Sequence, residues 1–291
     1  MRNAISVDIE DWFQVGAFET VIDKDDWNAL ELRVERNSDA VLALFERQNI
    51  KATFFILGWV AERAPKLMQR IVEQGHEVAS HGYAHDRVFT FSADEFRADL
   101  EKSRKILEDT SGAKVSGYRA PSFSIDPRTP WAHDILVEQG YEYSSSVAPI
   151  KHDHYGWPDA PRFSYEPVQG HDFLEIPVTT AQLGPKRLAA GGGGFFRLLP
   201  YAFSHWAIKQ VNQDENQPAI IYFHPWEIDP DQPRVDNAPI KSKLRHYSRL
   251  AAMEGKLERL IGDFEWERMD EIVKKDKLAR KAMKSNMKSA A

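Results

Sequence analysis

The sequence contains no cysteine. Disulfide staples and thiolate-held metals are therefore excluded, and any bound metal has only His, Asp and Glu to hold it. A chain without cysteine also fits a reducing compartment. Long apolar runs are missing too: no stretch approaches the roughly 18 apolar residues that read as a membrane span. The opening MRNAISVDIEDWF sets charged residues among apolar ones at once, which leaves no room for the apolar centre of a signal peptide. These absences give the expectation of a cytoplasmic protein. An excess of positive charge is likewise absent. Lys and Arg number 38 against 44 Asp and Glu, a formal net charge of −6, so the charge balance does not point to nucleic acid as a partner. What remains is an ordinary globular composition, 42% hydrophobic and 28% charged over 291 residues, long enough to bury a large core unaided.

Short apolar runs alternate with amphipathic segments along this chain. Strands are expected over residues 4–8, 52–57, 77–80, 114–119, 143–147, 173–178 and 219–223. Helices are expected over 38–48 with Ser38 as N-cap, 65–74, from the capping box at Ser92 to residue 107, and over 131–139, 200–213 and 243–261. Regular alternation of this kind implies an α/β fold with a parallel sheet and helices outside. Six or seven such units favour a barrel over an open sheet, with chemistry expected where strands end. One barrel domain is expected over residues 1–270, followed by a basic tail over 271–291 that carries seven Lys or Arg against two acids. A solvated helix is the plain reading of that tail, and a membrane-surface role its alternative.

Five segments at expected strand ends carry chemistry. In SVDIEDW, three carboxylates, Asp8, Glu10 and Asp11, crowd together. Like charges this close are costly unless a cation or an arginine offsets them. The plain alternative is a solvated turn with a helix cap. Strand alternation points Asp8 and Glu10 to one side and Asp11 away, so Glu10 is the expected metal ligand of the two neighbours. In SHGYAH, His81 and His85 stand four apart and converge on one metal if the segment turns helically. Two surface histidines are the alternative. In GYRAPSF, Arg119 ends a buried strand and must find an anion, for which Asp8 is the obvious candidate; a structural salt bridge at the rim is the alternative. In IIYFHPWEID, an apolar strand delivers His224, fixed by the following proline, unless it is a satisfied core histidine. Four glycines at 191–194 would let backbone amides approach a substrate or form a flexible loop; no GK[ST] follows, so nucleotide binding is not implied. A carboxylate with two histidines leaves positions open for water and substrate, which is the catalytic rather than the structural pattern of metal binding. Zinc is the expected ion, with Co, Ni and Mn compatible with the same ligands.

Taken together these segments resemble the polysaccharide deacetylase family, carbohydrate esterase family 4, most strongly from residue 1 to about 230. They are similar in particular to the branch found beside exosortase and exopolysaccharide loci, through DIEDWF, SHGYAH, GYRAPSF, the YGWPDAPR loop, the glycine run before FFRLLP, and FHPWEID. The resemblance implies an α/β fold, a distorted (β/α) barrel of about seven parallel strands, and a metal-dependent hydrolase that removes N-acetyl groups from amino sugars of a polysaccharide or its precursor, with a role in exopolysaccharide biosynthesis. By the same resemblance Asp8 is the catalytic base, His81 and His85 are metal ligands, Arg119 orients Asp8, and His224 is the general acid. Two departures stand out. The broad family opens with two adjacent aspartates, whereas Ile9 separates Asp8 from Glu10 here. Its fourth motif begins with an aspartate where this chain has Ser144 in Tyr143-Ser-Ser-Ser146. Trp12, Trp157 and Trp226 are candidates for stacking on sugar faces or for ordinary packing. The alternatives to a sugar deacetylase are a hydrolase of a small non-sugar amide on the same scaffold, and a sugar-binding protein without activity.

Overall fold

The computed structural model describes residues 1–152 and 155–289. Its strands are β1 (Arg2–Ile9), β2 (Thr53–Ile56), β3 (Glu77–Ser80), β4 (Gly117–Tyr118), β5 (Tyr143–Ser144), β6 (Leu174–Glu175), β7 (Thr180–Leu183), β8 (Lys186–Ala189), β9 (Ile220–Phe223) and β10 (Glu265–Glu267). The α-helices are α1 (Val34–Arg47), α2 (Gly58–Arg63), α3 (Pro65–Glu73), α4 (Ala93–Ser111), α5 (Ala132–Glu138), α6 (Gly193–Leu198), α7 (Tyr201–Lys209), α8 (Ile240–Tyr247), α9 (Met253–Asp263) and α10 (Met269–Ser289). Among the described residues no helix is long and apolar enough to cross a membrane.

Seven parallel strands form the wall, in the order β9-β1-β2-β3-β4-β5-β6. The register places β10. At Ala4, β1 pairs with Ile220 of β9 on one edge, so Glu267 of β10, paired with the same residue, lies on the other. From Ser6 onward that second edge is taken by β2. β10 is therefore a short parallel segment below β2 rather than an eighth stave. The gap between β6 and β9 is bridged by the chain just after β6 and by the glycine run. The Thr179 N–H donates to the Ile220 carbonyl at 3.2 Å, and the Tyr222 N–H to the Gly191 carbonyl at 2.7 Å. The result is a curled, distorted α/β barrel. The β7–β8 hairpin is antiparallel and stands apart from the wall.

Alternation along the strands sorts the interior into layers. Ala4, Phe55, Ala79, Tyr143, Leu174, Ile176 and Ile220 form one apolar cluster, which Met269, Ile272 and Val273 of α10 join from below. Each Phe, Leu, Ile, Met or Val side chain among them, once buried, contributes about 1.5–3 kcal/mol. Gly117 is required here because the Tyr143 ring crosses the barrel 2.2 Å from where a Cβ would stand. Glu77 sits at the lower end and accepts from the Thr53 hydroxyl (2.5 Å), the Tyr143 hydroxyl (2.9 Å) and the Asp270 N–H (3.1 Å). Burial, followed by the charge of Asp270, pushes its carboxyl up to about 8. An apolar cavity of about 380 Å³ opens at this same end, lined in part by Ile176, Ile220 and Ile272. The expected boundary between residues 270 and 271 falls inside α10, whose first turns close the barrel. Further along, Lys281 pairs with Asp172 and Lys284 with Glu166, both at 2.8 Å.

Two helices differ from expectation for physical reasons. Ser38 is not an N-cap: α1 begins four residues earlier and Ser38 is buried inside it. The cap comes from Asp11, whose Oδ2 accepts the N–H groups of Arg33 (2.7 Å) and Val34 (2.9 Å). The segment 243–261 is not one helix. It breaks between α8 and α9, where Arg249 takes a left-handed φ of 59°. The Arg197 side chain accounts for the break, since it donates to the carbonyls of Arg245, His246 and Ser248, which a continuing helix would spend on its next turn.

Candidate active site

The upper end of the barrel gathers the strand ends. Alternation carries Ser6 and Asp8 of β1 inward and continues one residue past the strand, so Glu10 points the same way as Asp8. Glu10 is 2% exposed and Asp8 also 2%. His81 follows β3 directly, with its N–H on the Ile56 carbonyl at 2.9 Å. The next residues form a bend, not the helical turn that the HxxxH spacing implied. Gly82 at φ 74° and His85 at φ 57° reverse the chain and bring the two rings to a centroid distance of 5.5 Å. One ligand atom each from Glu10, His81 and His85 then lie within 4.8 Å of one another.

This donor set suits a divalent cation. The His85 Nε2 stands 2.9 Å from Glu10 Oε2, yet that buried oxygen makes no well-aligned hydrogen bond. Buried carboxylate oxygens are normally satisfied, and donors turned toward a common point without a shared proton are what ligands of one ion look like. His81 is oriented from behind: its Nδ1 lies 2.8 Å from the Arg119 carbonyl, which leaves Nε2 for the cluster. Burial holds the His81 ring down to about 4, against the charge of Asp8, so the ring is neutral as a ligand must be. Burial opposes ionisation of Glu10 as well, but the charges of His85 and His224 outweigh it and hold the carboxyl well below the usual range.

Asp8 is gripped by Arg119, which is fully buried. The guanidinium donates to Asp8 Oδ1 at 2.6 Å, the Ser6 hydroxyl at 2.8 Å, the Ser145 carbonyl at 3.1 Å and the Ser145 hydroxyl at 3.0 Å, and lies 4.1 Å over the Phe55 ring. The hydroxyl of Ser144, in the place where an aspartate was expected, is spent on Ser146 at 2.7 Å.

His224 enters from the end of β9. Its Nε2 is 3.5 Å from Glu10 Oε1, and its Nδ1 is 3.0 Å from Glu227 Oε2. Burial works against charge on this ring, but Glu10 and then Glu227 outweigh it and push the group up to about 9. The Trp226 ring stacks on His224 at 5.2 Å and 17°, and its Nε1–H donates to Glu10 Oε1 at 3.2 Å.

Six residues singled out from the sequence thus meet at one end of the barrel: Asp8, Glu10, His81, His85, Arg119 and His224. Asp11 does not join them and caps α1 instead. Trp12 and Trp226 are buried, at 4% and 6% exposure, so neither offers a face to a sugar; Trp157 is half-buried. The glycine run packs against β9, opens α6 and lines a cavity beside the cluster through Gly194. Gly192, at φ 127°, backs onto β9 so closely that a Cβ would stand 1.9 Å from the Tyr222 carbonyl oxygen. Sequence reasoning missed Glu227, Arg197 and Ser145. Glu227 carried a signal, three residues beyond His224 in FHPWE; Arg197 and Ser145 carried none.

A cleft runs past the cluster. One cavity of about 270 Å³ is lined by Phe13, Gln14, Lys24, Trp27 and His85, and a second of about 310 Å³ by Ser122, Tyr155, Phe195, Tyr222 and Arg245. Both share Gly16 and Arg87, which makes them neighbouring parts of one open groove.

Residues 24–144 match the polysaccharide deacetylase family, and residues 145–274 match a domain of unknown function, DUF3473. The junction of the two matches falls at the end of β5, in the middle of one barrel wall. A peptidoglycan deacetylase of Helicobacter pylori is 32% identical over 107 residues, which are 37% of this chain and 36% of that protein. The chain thus spans about a third of the length of the curated relatives it matches. A crystal structure assigned as a polysaccharide deacetylase from Mycobacterium smegmatis superposes with a TM-score of 0.61 at 19% identity, over 96% of this chain and 90% of the other. The PuuE allantoinase structure superposes with a TM-score of 0.60 at 16% identity, over 93% and 88%. Those two likenesses establish the fold alone. Residues 24–144 thus carry a polysaccharide deacetylase family domain, joined over residues 145–274 to DUF3473, which is typical of the exopolysaccharide-locus branch of that family.

Proposed function

We propose that this protein is a metal-dependent deacetylase that hydrolyses N-acetyl groups on amino sugars of a polysaccharide or its precursor, in exopolysaccharide biosynthesis. The observation that carries the reading is the juxtaposition of three parts: a Glu10–His81–His85 ligand set, the Asp8 carboxylate anchored by Arg119, and the His224 imidazole within 3.5 Å of Glu10. A non-catalytic sugar-binding protein has no need of the second and third parts.

Glu10, His81 and His85 would hold one divalent cation, with zinc the first expectation for two imidazoles and a carboxylate. Once bound, the cation supplies Lewis acidity for an acetyl carbonyl and a water molecule. Asp8, anchored by Arg119 at 2.6 Å, takes the proton of the attacking water as its oxygen adds to the acetyl carbon. The C–N bond then breaks, and His224 Nε2 delivers a proton to the departing sugar amine. The charge on His224 suits it to that role, because an acid must hold its proton until the amine leaves.

The open groove supports a polymer over a small amide, since His85 lines one of its two adjoining parts and the other continues past Arg87 to Tyr222. The likeness to allantoinase keeps a small non-sugar amide as the second reading, because the fold accommodates both. Acetate release from N-acetylated chitooligosaccharides by the zinc-loaded protein tests the proposal. Release that grows with oligomer length, and stops on chelation, is the expected result. No release from any acetylated sugar, with activity on a small cyclic amide such as allantoin, would replace it with the second reading.

A further inference from the structure

We infer that Glu227, backed by Arg197, is the positioning residue of His224: it accepts the Nδ1–H, fixes the ring's tautomer, and turns Nε2 toward the cleft. The inference rests on the deacetylase reading for its consequence and on geometry for its substance.

An imidazole at the end of a strand can rotate by half a turn and exchange its two nitrogens. Stacking on Trp226 holds the ring plane but does not distinguish the two orientations. Glu227 does. Its Oε2 lies 3.0 Å from His224 Nδ1 and also accepts the His224 backbone N–H at 3.1 Å, so one carboxylate oxygen binds both the ring and the main chain of the same residue. An ionised carboxylate only accepts, so Nδ1 must carry a proton and Nε2 is the nitrogen that faces Glu10 and the cleft.

A simple cap for the turn at Pro225 would need no more than this. Glu227 has more. Its second oxygen meets Arg197 Nε at 3.1 Å, and both side chains are buried, at 1% and 0% exposure. Arg197 is itself immobilised by the carbonyls of Arg245 (2.7 Å) and His246 (2.9 Å) and by that of Ser248. The physical reason for an arginine behind the carboxylate is charge balance. While His224 is protonated, Glu227 has two cationic partners. When His224 gives its proton away, Arg197 alone still compensates the buried carboxylate, so the step does not strand an unpaired charge. Nucleophilic sites use the same order of parts, with a base or acid oriented by a carboxylate on its far nitrogen. Here the carboxylate comes from the histidine's own motif, three residues on, while Ser144 occupies the position where the resemblance expects an aspartate.

The first test needs no variant. Long-range ¹H–¹⁵N correlation on ¹⁵N-histidine-labelled, zinc-loaded protein, followed up in pH until the His224 ring is neutral, reports which nitrogen keeps the remaining proton. A protonated Nδ1 is expected; a bare Nδ1 with the proton on Nε2 overturns the inference, whatever the substrate. The second test is Glu227→Gln. Arg197 claims the amide oxygen, so the NH₂ faces Nδ1 and forces the proton onto Nε2 alone. Hydrolysis of N-acetylated chitotetraose should fall at least about tenfold in kcat with little change in KM, as expected when an orienting partner is lost. Hydrolysis of 4-nitrophenyl acetate, whose leaving group needs no proton, should stay within about twofold, and zinc content should be unchanged. Equal loss on both substrates would show a structural role and refute the inference. If the wild-type protein releases no acetate from the oligosaccharide, the deacetylase reading fails, while the tautomer measurement still decides the role of Glu227.

Discussion

Replacing Arg119 by methionine isolates what the buried guanidinium does. Methionine keeps most of the stem and still packs on Phe55, so the change in packing is worth less than about 1.5 kcal/mol. What it loses are the four hydrogen bonds to Asp8, Ser6 and Ser145, among them the 2.6 Å contact with Asp8 Oδ1. Asp8 is 2% exposed and cannot turn to solvent. Breaking a buried pair from one side costs about 3–5 kcal/mol, because the remaining charge is uncompensated. That is a large share of a total stability of about 5–15 kcal/mol. Urea unfolding in the presence of a chelator, followed by circular dichroism, measures the loss without a contribution from bound metal. Adding Asp8→Asn to Arg119→Met removes the stranded charge, and the double variant should regain at least about 1 kcal/mol over the single one. A single variant within about 1 kcal/mol of wild type, or a double variant no more stable than the single, would refute the reading of Arg119 and Asp8 as a buried ion pair.

The other expectations are as direct. His81→Ala and His85→Ala should each abolish metal binding and activity while the near-ultraviolet circular dichroism stays native; normal metal content in either would show the cluster to be misassigned. Glu10→Ala should lose metal, whereas Asp11→Ala should keep it and lose about 1–2 kcal/mol through the α1 cap, and metal analysis paired with urea unfolding would expose the reverse. His224→Ala should slow deacetylation by roughly 10²- to 10⁴-fold and slow an activated aryl ester far less, a difference that competing-substrate kinetics can read. Glu77 has a folded-state value of about 8 against an ordinary 4.5, so folding favours its protonated form. Its contribution to stability is then full below about 4.5 and declines as pH rises toward about 8. The groups facing it are Asp270 and Arg268 at the start of α10, Tyr143 and Thr53. Glu77→Gln should therefore compare better with wild type above about pH 8 than below about pH 4, and an equal difference in unfolding free energy at both extremes would contradict the assignment.

Much of the fold was legible because strand and helix periods are local. β3 matches its expected bounds, and the capping box at Ser92 does open α4. The later strands were expected longer than they are: only Gly117–Tyr118 and Tyr143–Ser144 are regular, although the N–H groups of Arg119 and Ser145 still reach the Ser80 and Tyr118 carbonyls. What escaped notice was non-local. The cap on α1 comes from Asp11, 22 residues before Arg33. The break between α8 and α9 is made by Arg197, and no pattern within residues 243–261 announces it. At the site, residue types and strand-end positions sufficed to gather Asp8, His81, Arg119 and His224, and alternation sufficed to separate Glu10 from Asp11. The sequence could not show that the two histidines converge through a bend, because the left-handed conformation of His85 has no signature in a non-glycine residue. Nor could it show what supports His224, since Arg197 reaches Glu227 across the fold.

The fold itself does not select the substrate. Two solved structures with different activities in their descriptions match this barrel almost equally, at TM-scores of 0.61 and 0.60. In this chain the strand ends hold Glu10, His81, His85, Asp8, Arg119 and His224. Discrimination must therefore lie in what rises above the strand ends. In this chain that is the segment after β1, with Phe13, Gln14, Gly16 and Trp27; the turn after His85, with Arg87; and the residues around Tyr155, Phe195 and Arg245. These come from both matched stretches of the chain, residues 24–144 and 145–274, as well as from the segment before residue 24. The second stretch also supplies His224, Glu227 and Arg197. It follows that the first stretch alone carries His81 and His85 but neither His224 nor half of the groove, and that residues 145–274 are an integral part of the cluster rather than an appendage to it.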